Sequence, residues 1–191
     1  MIKKVVKMKR ITILIAFFSV LTLNGQTFKI SDFKFESIFG TTLKEPDNIY
    51  CLLGTGFFRT PRSENSDSLI YAWIGNHPNA IVVPISSMRP IDPTKPESKM
   101  IYCLVIEGND TLNNYLIKNG CFPGATMMRH ETWKEMKSWE KKLYKKTGGK
   151  KSEVNVKVYI SEESYKIFIE QIKSAEIYAQ ENKIGIWKTE N

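Results

Sequence analysis

Apolar runs along this chain are separated by polar, glycine-rich and proline-rich stretches, and their spacing predicts most of its elements. Between residues 28 and 46 the signal is weak. Phe28, Ile30, Phe33, Phe35 and Ile38 alternate only roughly with polar positions, which reads as an entry arm with a single short strand. β-branched and aromatic residues then gather in three runs, 49–53, 69–74 and 80–85, each bounded by Gly, Pro or Asn. Such punctuated runs are strand signals. They predict three strands, the last two joined as a hairpin through the turn Gly75, Asn76, His77, Pro78 and Asn79.

Pro90, Pro93 and Pro96 exclude helix from 89–99 and mark a surface connection. Residues 100–106 read as a strand ended by Glu107, Gly108, Asn109 and Asp110. A short helix follows, capped by Thr111 or Asp110, with Leu112, Tyr115 and Leu116 at helical spacing and Gly120 at its end. Residues 131–146 predict a second helix, with Trp133, Met136, Leu143 and Tyr144 near one face and lysines over most of the rest. Gly148 and Gly149 break it. Residues 154–160 alternate like an exposed edge strand. The clearest element is the last. Ser161 is an N-cap candidate, Glu162 and Glu163 suit the positive helix terminus, and Phe168, Ile172, Ala175 and Ala179 fall on one stripe ending near Asn182.

The composition, 42% apolar and 25% charged over 191 residues, excludes intrinsic disorder, a collagen-like chain and a multi-span membrane protein. The formal net charge of +8 is unevenly placed. Lys3, Lys4, Lys7, Lys9 and Arg10 precede an apolar run at 11–23 and the short polar end Asn24, Gly25 and Gln26. This is the layout of a secretory signal peptide, expected to occupy 1–25 and to be cleaved near Gly25. Its apolar run is shorter than the roughly 20 residues a transmembrane helix needs. The expected product is an exported protein, periplasmic or secreted, with one domain at 26–191. Without the leader the charge falls to +3, and residues 129–151 alone carry nine basic and three acidic side chains, a local +6.

Only three cysteines are present, which excludes a dense disulfide scaffold, and Cys51, Cys103 and Cys121 allow at most one internal bridge. Cys51 and Cys103 lie in strand-like runs, where a thiol acts as a small hydrophobe. His77 and His130 show no spacing that links them to a cysteine as a nucleophile pair or to a zinc site.

Two segments carry a resemblance. Residues 112–120 present Asn113, Leu116, Ile117 and Gly120 at the spacing N-x-x-L-V-x-x-G. Ala175, Glu176 and Ala179 are followed by Gly185, Ile186 and Trp187 as an A-E-x-x-A helix with a G-I-W ending. In order and in reach to the C-terminus they resemble the staphylococcal nuclease (thermonuclease) family over about the last half of the chain, with 122–160 as an insertion. The resemblance implies an α+β domain, mainly a β barrel of OB-fold type, whose C-terminal helices pack on it and whose Trp187 covers its lower end. The other reading is an unrelated α+β domain.

The resemblance also implies phosphodiester cleavage. In that family a Ca²⁺ ion is held by aspartates, a glutamate positions the attacking water and two arginines hold the phosphate. Hard cations take carboxylate oxygens, and the developing charge needs fixed guanidinium groups. The family carries these in a strand and turn reading about R-L-x-G-I-D-x-P-E, and in an arginine just ahead of the outer strand. The nearest turn here, 73–79, keeps Gly75 and Pro78 but has Asn76, His77 and Asn79 where carboxylates are wanted. Lys99 and Met100 stand where the second arginine belongs. Asp67 reads either as a surviving metal aspartate or as a turn residue between Ser66 and Ser68.

The expectation is therefore a catalytically decayed, nuclease-like binding or interaction module, with no assigned catalytic residue, no metal and no cofactor. The alternative is a Ca²⁺-dependent nuclease of DNA or RNA with a rearranged site, using Asp67 or Asp92 and some of Arg59, Arg62 and Arg89. The candidate nucleic-acid contacts are Lys141, Lys142, Lys145, Lys146, Lys150 and Lys151, since clustered lysines release counterions from phosphate. A plain solvated helix face explains the same run, and a protein partner or another anionic surface would also suit it. Tyr71, Trp73 and Tyr102 read as core or as stacking platforms. The apolar connection 121–128 reads as packing beneath the inserted helix or as part of a groove.

Overall fold

A computed structural model describes residues 27–56, 60–88, 90–92, 94–124, 128–151 and 154–188. The predicted leader and its cleavage point, Arg59 and Arg89 lie outside the described residues. In chain order the elements are β1 (Phe28–Lys29), a 3₁₀ turn (Ile30–Asp32), β2 (Phe33–Glu36), β3 (Phe39–Thr42), β4 (Ile49–Leu52), α1 (Ser66–Asn76), β5 (Ile81–Met88) and β6 (Met100–Glu107). Then come β7 (Asp110–Thr111), α2 (Leu112–Lys118), α3 (Ser138–Lys146), β8 (Val156–Val158), α4 (Glu162–Glu181) and a 3₁₀ turn (Gly185–Trp187).

This is a mixed α+β domain around a curled, six-strand half-barrel in the order β1-β5-β6-β4-β3-β2. All neighbours on that path are antiparallel except β4 and β6, which run parallel with Leu52 opposite Cys103. The two ends of the path, β1 and β2, are consecutive in the chain and separated only by the 3₁₀ turn. The entry arm is thus three short strands rather than one. Ser37 takes φ 58° in the tight β2–β3 connection, and the adjacent Ile38 is buried, so no glycine or asparagine announced the turn.

The run at 69–74 is helix, which overturns the predicted strand and hairpin. A six-residue apolar run does not distinguish the two by periodicity. The extra turn at Ser66 settles it: Ser66, Ile70 and Trp73 are buried at helical spacing. His77 closes the helix, its Nδ1 2.7 Å from the Trp73 carbonyl and its ring stacked 3.9 Å from the indole.

β5 and β6 follow the predicted runs. Pro84 sits at a β-bulge, where the outer edge of β5 passes from β1 to β8 and a backbone N–H is not needed. β8 is the predicted edge strand, shortened to three residues and paired with Ser86, Ser87 and Met88. The cap of α2 is Thr111, whose hydroxyl accepts from Asn114 N at 3.2 Å. Ser161 caps α4, and the four predicted stripe residues, Phe168, Ile172, Ala175 and Ala179, are buried. Phe168 and Ile172 join Leu52, Ile85 and Leu104 in the core.

Two buried polar contacts join the strands to the helices. The Asn113 side chain, fully buried, accepts from Val105 N (3.1 Å) and donates to the carbonyls of Leu53 (2.8 Å) and Cys103 (3.1 Å), tying α2 to β4 and β6. Gly120 and Gly185 both have positive φ and touch backbone to backbone. A Cβ on Gly120 would lie 2.1 Å from Ile184 O, one on Gly185 would lie 2.2 Å from Gly120 O, and Ile186 N donates to Gly120 O at 2.9 Å. Trp187, beside this contact, is half-buried. The three cysteines are fully buried and unbridged.

Candidate functional site

The segment from 128 to 151 forms a lobe outside the core, and none of the residues of α3 is buried. Its anchor is Arg129. Both terminal nitrogens of the guanidinium donate to the Glu135 carboxylate, and its carbon lies 4.6 Å from the Tyr165 ring centroid on α4. Only 7% of the Arg129 side chain is exposed. Glu135 also accepts from Thr132 N and Thr132 Oγ1. The bonds from Arg129, followed by those from Thr132, hold the Glu135 carboxyl down to about 2. This knot bends 132–136 into a turn, so the helix predicted from 131 begins only at Ser138, where Lys137 N donates to Glu140. The Thr132-x-x-Glu135 spacing is a capping signature that could have revealed the knot in the sequence.

Trp133 packs against Tyr144 with centroids 6.1 Å apart, and the ammonium groups of Lys141 and Lys145 lie over the Trp133 ring at 6.0 and 5.8 Å. The helix ends at Lys146. Gly149 then lies against Tyr144, with no room for a Cβ beside the ring. At roughly 100° per residue, Lys141, Lys145, Lys142 and Lys146 occupy one arc of about 140° of α3. Four of the six predicted lysines are therefore gathered on one side of a helix, and Lys150 and exposed Lys151 follow after the turn. At the border of the arc stand Trp139 and Leu143, 60% and 54% exposed.

Between the lobe and α4 lies a cavity of about 640 Å³ bordered by Arg129, Tyr165, Ile169 and charged side chains. Its cations are engaged by carboxylates: Arg129 by Glu135, Lys166 by Glu162 (2.6 Å) and Lys173 by Glu170 (2.9 Å). With Glu131 added, carboxylates outnumber cations, so this cavity does not attract phosphate. The apolar connection ahead of it has Cys121 and Phe122 in the core and Met128 on the cavity wall.

Among the described residues, those considered for nuclease chemistry lie on separate elements. Residues 73–76 are the last turn of α1, so the turn compared with the family's catalytic motif is not a link between strands. Asp67 lies in the first helical turn, with Oδ1 buried and without a hydrogen-bond partner among the described residues. Asp92 sits in the β5–β6 connection and accepts from Thr94 N and Oγ1, which lowers its carboxyl below the usual range. Arg62 donates to Ser37 Oγ, in the β2–β3 turn, at 3.3 Å. No group of three His, Cys, Asp or Glu side chains able to hold a metal occurs among the described residues, so the residues present there do not fit the Ca²⁺ site of the resemblance. Burial raises the thiols of Cys51 and Cys121 to about 12 and about 11 and holds that of Cys103 well above its ordinary value, which makes them poor nucleophiles. Trp73 and Tyr102 are core residues, while Tyr71 lies on the exposed side of α1.

No protein-family model matches the chain, and no curated protein matches it in sequence. No described helix is long and apolar enough to cross a membrane.

Proposed function

We propose that this chain is an exported, non-cleaving binding domain built on a nuclease-like OB barrel, whose basic lobe engages anionic, phosphate-bearing surfaces. The observation that carries the reading is the arc of four lysines on α3, a helix with no buried residue, Lys141 and Lys145 resting on Trp133 and Lys142 and Lys146 exposed, while the body behind it has a negative balance.

The sheet supports the barrel. A three-strand meander (β2, β3, β4), then a helix, then two strands with β4 parallel to β6, and a bent first strand touching both ends of the path, is the connectivity of an OB barrel. The two motifs behind the resemblance also meet in space, Gly120 against Gly185. Set against residues 59–62, the family's strand and turn fall on 54–62, just after β4. The end of that segment reads Arg59, Thr60, Pro61 and Arg62, with arginines where D-x-P-E has its carboxylates. Exchange of both carboxylates for cations removes one metal aspartate and the water-positioning glutamate, which supports binding without cleavage.

The test is retention on phosphocellulose. The chain from residue 26, a variant with Lys141, Lys142, Lys145 and Lys146 changed to Gln, and a control with Lys29, Lys118, Lys183 and Lys188 changed to Gln are eluted with salt. The lobe variant elutes first and the control, of equal net charge, stays near the parent. Identical elution of the two variants would mean that net charge alone is read, and the proposal fails.

A further inference from the structure

We propose that the anionic surface is a phospholipid membrane and that α3 docks on it edge-on through Trp139 and Leu143. The inference rests on the binding reading above and names its partner. On α3 the order around the helix is Lys142, Lys146, Trp139, Leu143, so a continuous face pairs two lysines with two exposed apolar side chains one turn apart. The opposite side is already used, because Tyr144 and the ammonium groups of Lys141 and Lys145 gather on Trp133.

Charge complementarity points to an anionic partner, since the lobe carries +6 against a body of −3. The apolar pair decides between partners. A nucleic-acid strand is held by flat aromatic platforms along a groove, whereas here the helix is convex and an aliphatic residue stands beside the single indole. At a membrane the same pair enters the headgroup boundary, where Trp is favoured for its apolar body and polar N–H, while Lys142 and Lys146 extend to lipid phosphates. Each lysine near such a surface strengthens binding roughly fivefold, equivalent to about 1 kcal/mol.

The experiment is sedimentation of the chain from residue 26 with vesicles of phosphatidylcholine alone or mixed with about one third phosphatidylglycerol, with tryptophan emission read in parallel. Trp73 is in the core and Trp133 and Trp187 are half-buried, so a blue shift on binding reports mainly Trp139. The expected result is binding to the anionic vesicles only, with a blue shift. Trp139→Ala with Leu143→Ala should weaken binding at least tenfold, and Lys142→Gln with Lys146→Gln roughly twenty-fivefold. All four positions are on a helix with no buried residue, so the variants should keep the parent unfolding midpoint, which is measured alongside. Unchanged vesicle affinity in the Trp139/Leu143 variant would overturn the docking face. Retention on phosphocellulose with tighter binding to single-stranded DNA than to anionic vesicles would overturn the membrane and keep the phosphate reading. Absence of both would remove the two together.

Discussion

Replacing Asn113 by Ala deprives Val105 N–H and the Leu53 carbonyl of their side-chain partner in a site with no solvent access, whereas the Cys103 carbonyl still accepts from Leu53 N at 3.0 Å. A buried group left without its partner costs about 1–3 kcal/mol. The two together, discounted for local relaxation, put Asn113→Ala at about 3 kcal/mol. Asn113→Asp sharpens the test because it is nearly isosteric. Its carboxylate can still accept from Val105 N but faces two carbonyl oxygens, and only the protonated form can donate to one of them. Burial and those oxygens raise the carboxyl above its unfolded value of about 3.9. The stability of this variant is therefore greatest below that value and is lost as pH rises through the raised folded one. Urea unfolding followed by tryptophan emission at pH 5 and pH 8 should show the gap to the parent widening with pH. A loss below about 1 kcal/mol for the alanine variant, or a pH-independent gap for the aspartate variant, would refute the assignment of Asn113 as the tie between α2 and the sheet.

Three further outcomes follow from the same geometry. Gly120→Ala combines a left-handed backbone with a Cβ directed into a carbonyl and should cost at least about 2 kcal/mol in urea unfolding, while Gly108→Ala, also at positive φ but in open space, should cost about 1. Glu135 titrates at about 2 in the folded chain, so its contribution is present above the unfolded value near 4.3 and fades as pH falls towards 2. With 36% of its side chain exposed, solvent screens the pair, and Glu135→Gln should cost only about 1 kcal/mol at pH 7 and only a small remainder of that at pH 2, measured as the shift in unfolding midpoint. Finally, a thiol reagent should label almost no cysteine in the native chain and three after denaturation; rapid native labelling would contradict the burial of Cys51, Cys103 and Cys121.

Legibility in the sequence followed the strength of local signals. α4 was readable because its cap, its acidic first turn and its buried stripe agree, and α2 because Thr111 and Gly120 mark its two ends. α1 was misread because Leu69, Ile70, Tyr71, Ala72, Trp73 and Ile74 are too short a run to show a period, and Asn65 supplies no side-chain cap. The β2–β3 hairpin was hidden by an apolar residue in its turn. At the candidate site the lysines were visible as a charge run, but their shared side depends on a helix that begins seven residues late. Trp133, predicted on the helix, instead lies in the turn before it and packs back on Tyr144. The local half of the knot, Thr132 to Glu135, is a readable capping signature, but its anchor joins Arg129 to Tyr165 across 36 residues, a distance no local pattern encodes.

The central claim, binding without cleavage, is met most directly by incubating the chain from residue 26 with end-labelled single-stranded DNA and RNA in Ca²⁺ or in EDTA and reading strand length on a denaturing gel. The account predicts full-length strands in both. Ca²⁺-dependent shortening that disappears in Asp67→Ala would contradict it and restore a working nuclease.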